Sequence, residues 1–263
     1  MHEPYKVGSD VYVLPTSIEI PGAGHLMINA FVLLAEEPVL IDSGLGIDTP
    51  EFMAALGSII SPSDLRWIWL THDDADHTGS IQAVAEAAPK ARLAMNAFAA
   101  MRMSTWWPVP MERIYAIRPG DEIDAGDRKL QAIAPPVFDN PMSTGVFDAS
   151  TGTLFSVDAF GAFIPELTEN ADEIPAEALT QGMVGWGVSD SPWTRLVDTE
   201  RFEAELDRLR QLKPNRILSS HLPAAGANID RFLDVIRMLP SVEPELPPDH
   251  VAFAEMLSMM NPG

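Results

Sequence analysis

A strand-like run, Arg66-Trp67-Ile68-Trp69-Leu70, stops abruptly before His72-Asp73-Asp74-Ala75-Asp76-His77, where apolar character all but vanishes. A stretch with apolar residues at helical spacing, 80–89, follows at once and ends at Pro89. Four potential metal ligands, His72, Asp74, Asp76 and His77, are therefore confined to one short loop between a strand and a helix. Side chains two apart in an extended segment point the same way, so His72, Asp74 and Asp76 can converge while His77 turns toward a neighbouring point. That arrangement serves two metal ions more naturally than one. The competing reading is a solvated acidic loop with two incidental histidines.

Composition narrows the chemistry around this loop. The chain has no cysteine, which removes disulfides, thiolate nucleophiles, cysteine-bound zinc and iron–sulfur clusters. Any metal must sit on nitrogen and oxygen donors, and the chain has only 6 histidines to offer. Its net charge of −21 argues against nucleic acid as a partner, since phosphate binding wants a basic patch. It equally disfavours an anionic membrane surface. The N-terminus lacks a secretory pattern and no apolar run approaches a membrane span, so a cytoplasmic location is expected.

A length of 263 residues suits one large α/β domain or two small ones. Strands are expected at 11–15, 28–35, 38–42, 66–70, 91–96, 129–134, 153–157 and 216–220. Helices are expected at 49–60 with Thr49 as N-cap, at 80–89, at 97–103, near 175–182, at 198–212 and at 229–239. The aromatic, proline-rich stretch 104–120 reads as irregular, and Trp186 falls in a glycine-bearing loop. Strand and helix alternate, so the class is α/β. One domain over 1–240 is expected, followed by a proline-rich tail, 241–263, with Pro244, Pro247, Pro248 and Pro262; Val251–Met259 could form a short packing helix. Two segments echo one another: Val39-Leu40-Ile41-Asp42 and Leu154-Phe155-Ser156-Val157-Asp158 each end an apolar run in Asp before a glycine-bearing turn.

These residues resemble the metallo-β-lactamase superfamily, whose metal loop, His-x-His-x-Asp-His, follows a core strand. The resemblance is closer to the flavodiiron and oxygen-binding di-iron branch, which places a carboxylate where Asp74 stands. That branch continues as His77-Thr78-Gly79-Ser80-Ile81 does here, and its later strand looks like Leu154-Phe155-Ser156-Val157-Asp158-Ala159-Phe160-Gly161. The resemblance covers roughly 10–225 and implies a four-layer αββα sandwich. It implies that Asp158 bridges two metals and that His221 is the last ligand of the second site, with Asp76 and His77. It also implies a further histidine for the first site, and from Thr78 to Ser220 there is none. The family interval falls on Asp139, which could supply an oxygen ligand or start a turn before Pro141.

The resemblance implies two divalent ions. The oxygen-rich donor set shifts preference from zinc toward iron or manganese, and the resemblance to di-iron proteins favours iron over zinc or manganese. Asp42 matches a family carboxylate that could orient a ligand or cap its strand. His25, in Pro21-Gly22-Ala23-Gly24-His25-Leu26-Met27, could reach over the metals as a proton donor or stand exposed in a loop. With Asp76 it forms the candidate catalytic pair. Trp106, Trp107, Trp186 and Trp193 could wall a pocket or fill the core.

Three functions follow from the resemblance. The first is a di-iron protein that binds or reduces a diatomic such as O₂ or NO, fed by a separate electron donor because no flavin is expected in this chain. The second is a zinc hydrolase of an ester, lactone, thioester or phosphodiester. The third is a weakly metallated binding module. A homodimer is what the resemblance implies for assembly.

Overall fold

A computed structural model describes residues 1–226, 228–243 and 248–260. Two sheets form its centre. The first runs in the order β1 (Tyr5–Val7), β2 (Val11–Ile20), β3 (Gly24–Leu33), β4 (Val39–Ile41), β5 (Trp67–Trp69), β6 (Arg92–Met95), β7 (Ile114–Ala116). The second contains β8 (Glu122–Asp124), β9 (Lys129–Ile133), β10 (Gly145–Asp148), β11 (Thr153–Phe155) and β13 (Arg216–Leu218), while β12 (Phe163–Ile164) pairs with β3. Strands β4 to β7 are parallel to one another, and β11 is parallel to β13. In each set the carboxyl ends open on a common edge.

Alternation along the strands sorts side chains into three cores. On β3, Phe31 and Leu33 face the second sheet, with Trp69, Leu130, Val146, Phe155 and Leu218. Ala30 and Val32 point the other way, onto α1 (Thr49–Ile59), α3 (Ile81–Ala87) and α4 (Ala97–Met103), through Phe52, Leu56, Val84 and Met103. Behind the second sheet, Leu154 and Ile217 pack on α5 (Ala176–Asp190), α6 (Thr199–Gln211) and α7 (Ile229–Met238), through Leu179, Leu206 and Phe232. The layers are helix, sheet, sheet, helix, the αββα sandwich expected.

Several elements differ from the sequence reading. The β2–β3 hairpin is longer at both strands, so His25 lies within β3, opposite Glu19 and Ile164, and not in a loop. The stretch 104–120 contributes β7, because the edge of a parallel sheet recruits Ile114–Ala116 beside β6. Thr49 is the first residue of α1 and its hydroxyl donates to the Gly46 carbonyl at 2.8 Å; the cap position belongs to Asp48. Helix α5 runs through Gly182, Gly185 and Gly187 to Asp190 and carries Trp186. Its glycines let it lie close on β12: a Cβ at Gly182 would come within 2.0 Å of the Phe163 carbonyl oxygen. Of the tail, Pro244, Pro247 and Pro262 lie outside the described residues, and α8 (His250–Met260) leaves Val251, Phe253 and Leu257 exposed. No helix among the described residues is long and apolar enough to cross a membrane.

Candidate metal centre

The loop after β5 begins with Thr71 and His72, both buried. The chain stays extended only as far as Asp74, because a one-turn helix, α2, starts at Ala75 (Ala75–Thr78). That turn overrides the spacing of an extended loop. His72 and Asp74 form one group, while Asp76 turns with His77 into another. Asp73 points away, pairing with Arg102 at 2.9 Å and accepting from Asn140.

Turn 43–46, which follows β4, straps α2 in place. Ser43 N–H donates to His77 O at 2.7 Å, and Gly79 N–H to Gly44 O at 2.8 Å. Gly79 is required by this approach, since a Cβ there would lie 2.0 Å from Gly46 N. Asp42, with φ of 60°, turns its carboxylate inward to accept from Thr71 N–H, the Thr71 hydroxyl and His77 Nδ1, each at 2.8 Å. His221, just past β13, is fixed at Nδ1 by the Met27 carbonyl, also at 2.8 Å.

These partners settle the tautomers. A carboxylate and a carbonyl only accept, so His77 and His221 carry their protons on Nδ1 and present bare Nε2 lone pairs. Both Nε2 atoms lie 3.1 Å from Asp158 Oδ1. The other oxygen, Oδ2, faces His72 Nε2 at 3.6 Å. Asp158 is buried and neither oxygen has a hydrogen-bond donor. Lone pair against lone pair in a dry interior is unfavourable, and either a proton or a metal ion between them relieves it. Ligands on one ion at 2.0–2.2 Å stand about 3.0–3.6 Å apart, the spacing seen here.

Around Asp158 the donors fall into two sets. One comprises Asp76, His77 and His221, with Asp76 Oδ2 at 3.4 Å from His77 Nε2 and 3.5 Å from His221 Nε2. The other comprises His72, Asp74 and Asp139, with Asp74 Oδ2 at 3.6 Å and Asp139 Oδ1 at 4.0 Å from His72 Nε2. Asp139 is thus brought to the cluster, and the turn before Pro141 is made instead by Asn140, whose Oδ1 accepts from Met142 N–H. The histidines are buried, whereas Asp74, Asp76 and Asp139 keep about a third of their side chains exposed, which opens this face to small molecules. His25 takes no part in the cluster among the described residues.

Electrostatics follow the same geometry. Burial works against charge on His77, yet Asp158, Asp42 and Asp76 hold it well above the ordinary imidazole value. Burial likewise opposes charge on His221 and His72; Asp158 raises both, assisted by Asp76 and Asp74 respectively. Asp158 and Asp76 are held below the carboxylate range against their burial by the facing histidines. His72 draws Asp74 down to about 2. Burial and the Asp158 charge push Asp139 up to about 6.

Asn140 and Asp190 escaped the sequence reading, and of the four tryptophans it named, Trp186 and Trp193 lie beside the cluster. Asn140 donates to Asp74 Oδ1 at 2.8 Å and fixes its orientation. Trp186 packs against His221 with centroids 4.5 Å apart and ring planes tilted by 46°, and donates to the Asp158 carbonyl at 3.1 Å. Trp193 donates to the Phe138 carbonyl at 2.6 Å, anchoring the residue before Asp139. Trp107, by contrast, is core, and Trp106 is exposed. Asp190 offers a carboxylate oxygen within 4.8 Å of oxygens from Asp139 and Asp158. Helix α5 and the turn after it bring in Trp186, Asp190 and Trp193, while Asn140 comes with the β9–β10 loop that carries Asp139.

A family model described as "ODP family beta lactamase" matches residues 26–221. Among curated proteins, the chain is 27% identical over 171 residues to the anaerobic nitric oxide reductase flavorubredoxin of Salmonella arizonae, covering 64% of this chain and 36% of that one. It is 24% identical over 134 residues to diflavin flavoprotein A 1 of Synechocystis sp., covering 51% and 23%. Among solved structures, rubredoxin oxygen:oxidoreductase from Desulfovibrio gigas superposes with a TM-score of 0.76 at 19% identity, over 90% of this chain and 61% of that one. The chain spans between 23% and 39% of the length of these curated relatives and others like them. The sandwich, the carboxylate–histidine cluster at its edge and the extent of the family match agree: the chain belongs to the ODP family of beta-lactamase-like proteins.

Proposed function

We propose that this chain holds two metal ions, iron in preference to zinc or manganese, and binds or reduces a diatomic such as O₂ or NO. The observation that carries the reading is Asp158, whose two bare oxygens diverge toward separate imidazole nitrogens. In this reading His72, Asp74 and Asp139 hold the first ion, and Asp76, His77 and His221 the second. Asp158 joins the two, and residues 1–240 act as one unit. The names of the relatives, a nitric oxide reductase and an oxygen oxidoreductase, support diatomic chemistry and a protein electron donor.

Held there, a pair of redox-active ions would supply electrons to one small ligand. The chain's own residues do the positioning. Asp42 and the Met27 carbonyl lock His77 and His221 as Nδ1–H tautomers, leaving Nε2 to coordinate. Asn140 orients Asp74 and Trp193 secures the segment bearing Asp139. Trp186, itself edged by Phe163, covers His221 and keeps water from that side. Entry is left to the face where the three flanking carboxylates meet solvent.

The test is to reduce protein purified from iron- and zinc-supplemented cells, then expose it to O₂ and to NO while recording its absorption spectrum. A ligand-dependent band that scales with iron content is expected. Zinc-loaded protein with no spectral response and with esterase or phosphodiesterase turnover would overturn the reading.

A further inference from the structure

Asp190 stands in an unfavourable place for a carboxylate. It is the last residue of α5, where the helix dipole is negative. Its oxygen converges with those of Asp139 and Asp158. Among the described residues no Lys or Arg pairs with it, and its one hydrogen-bond donor is the Ser191 hydroxyl at 2.8 Å. Ser191 is itself fully buried and tied back by its N–H to the Gly187 carbonyl, so the carboxylate is held where it is. Three carboxylates crowded at a negative helix end, one of them buried and bare, call for a cation.

We infer that Asp190 is a fourth carboxylate of the first metal position, beside Asp74, Asp139 and Asp158. This rests on the two-metal reading above and extends it. The position then has one imidazole, His72, and up to four carboxylates, whereas the second has two imidazoles, His77 and His221, with Asp76 and the shared Asp158. Donor softness follows this division: carboxylate oxygen suits manganese and other hard ions, and imidazole suits iron and zinc. The two positions therefore differ in hardness: both can take ferrous iron, but between zinc and manganese the first favours manganese and the second zinc. The first is the harder one, because His72 is its one imidazole and Asp190 adds a further carboxylate beside Asp139 and Asp158.

The experiment uses the full chain, stripped with a chelator and loaded with one equivalent of Zn²⁺ and an excess of Mn²⁺. Metal content is then read by elemental analysis and by the Mn²⁺ electron paramagnetic resonance signal. Wild type is expected to retain one zinc and one manganese. Asp190→Asn, which keeps the shape and the Ser191 contact, is expected to keep its zinc but to bind manganese at least about tenfold more weakly. The melting temperature of the stripped variant should equal or exceed that of stripped wild type, because the substitution removes a repelled charge; this separates ligand loss from misfolding. An Asp190→Asn protein that binds manganese as tightly as wild type would overturn this inference and leave the two-metal centre standing. A wild type that retains no metal would instead overturn the reading on which it rests.

Discussion

His77 is gripped at both ring nitrogens by carboxylates, Asp42 at Nδ1 and Asp158 at Nε2, and these two aspartates end the two echoing apolar runs of the sequence. Asp42 fixes the proton, and Asp158 faces the lone pair. Stripped of metal, the site must take up protons in its place. The folded-state values of His72, His77 and His221 lie above the ordinary imidazole value, so their stabilising contribution is complete below about pH 6.5 and fades as pH rises through the raised values. Asp139 and Asp190, pushed up to about 6 and about 7, add a cost that accrues from the ordinary carboxylate range up to those values, so most of it is already present at pH 6 and the histidines carry the change above it. Asp74, held down at about 2, loses its contribution only in strong acid. The metal-free chain should therefore melt roughly 3–8 °C higher at pH 6 than at pH 8. The metal-loaded chain should not gain on acidification, since protons compete with metal. Melting curves with and without chelator check this; a metal-free chain indifferent to pH would contradict it.

The elements explain how much of the centre could be read without a structure. His72, Asp74, Asp76 and His77 were legible because a strand and a helix bracket them within one loop. Asp158 and His221 were legible only through resemblance to a family, since each follows a strand, β11 or β13, whose neighbour is distant in sequence. Asn140 and Asp190 were not legible, because long-range packing carries them in. The run of glycines in α5 suggested a loop, and only its close contact with β12 explains why those glycines belong in a helix. The convergence of Asp76 with His72 and Asp74, read from an extended loop, failed for a local reason: α2 begins one residue earlier and rotates Asp76 toward His221, the grouping that the resemblance implied. The strap between α2 and turn 43–46 belongs to this scale. Gly79→Ala would drive a methyl group to 2.0 Å from Gly46 N, and neither backbone can yield without moving a candidate ligand. It should cost about 1–3 kcal/mol in urea unfolding and reduce retained metal. A change within about 0.5 kcal/mol and full metal content would refute the strap.

The whole molecule concentrates unlike surroundings at one edge. Two parallel strand sets deliver buried histidines, while partly exposed carboxylates from the loops after β5 and β9 and from the end of α5 close in around them. Part of the net charge of −21 thereby gains a place where cations would cancel it, and the acidic field around it favours cation uptake. Without cysteine the clustered donors are nitrogen and oxygen, and on the proposed assignment the position with one imidazole is the harder of the two. The central claim is that Asp158 joins two metal ions in one chain. Its most direct test is to count metal atoms per chain in wild type and in Asp158→Asn, both purified from iron-supplemented cells and compared at equal folded content. Two irons per wild-type chain and a loss of both in the variant are predicted. A wild-type chain without metal, or a variant that keeps both ions, would contradict the account.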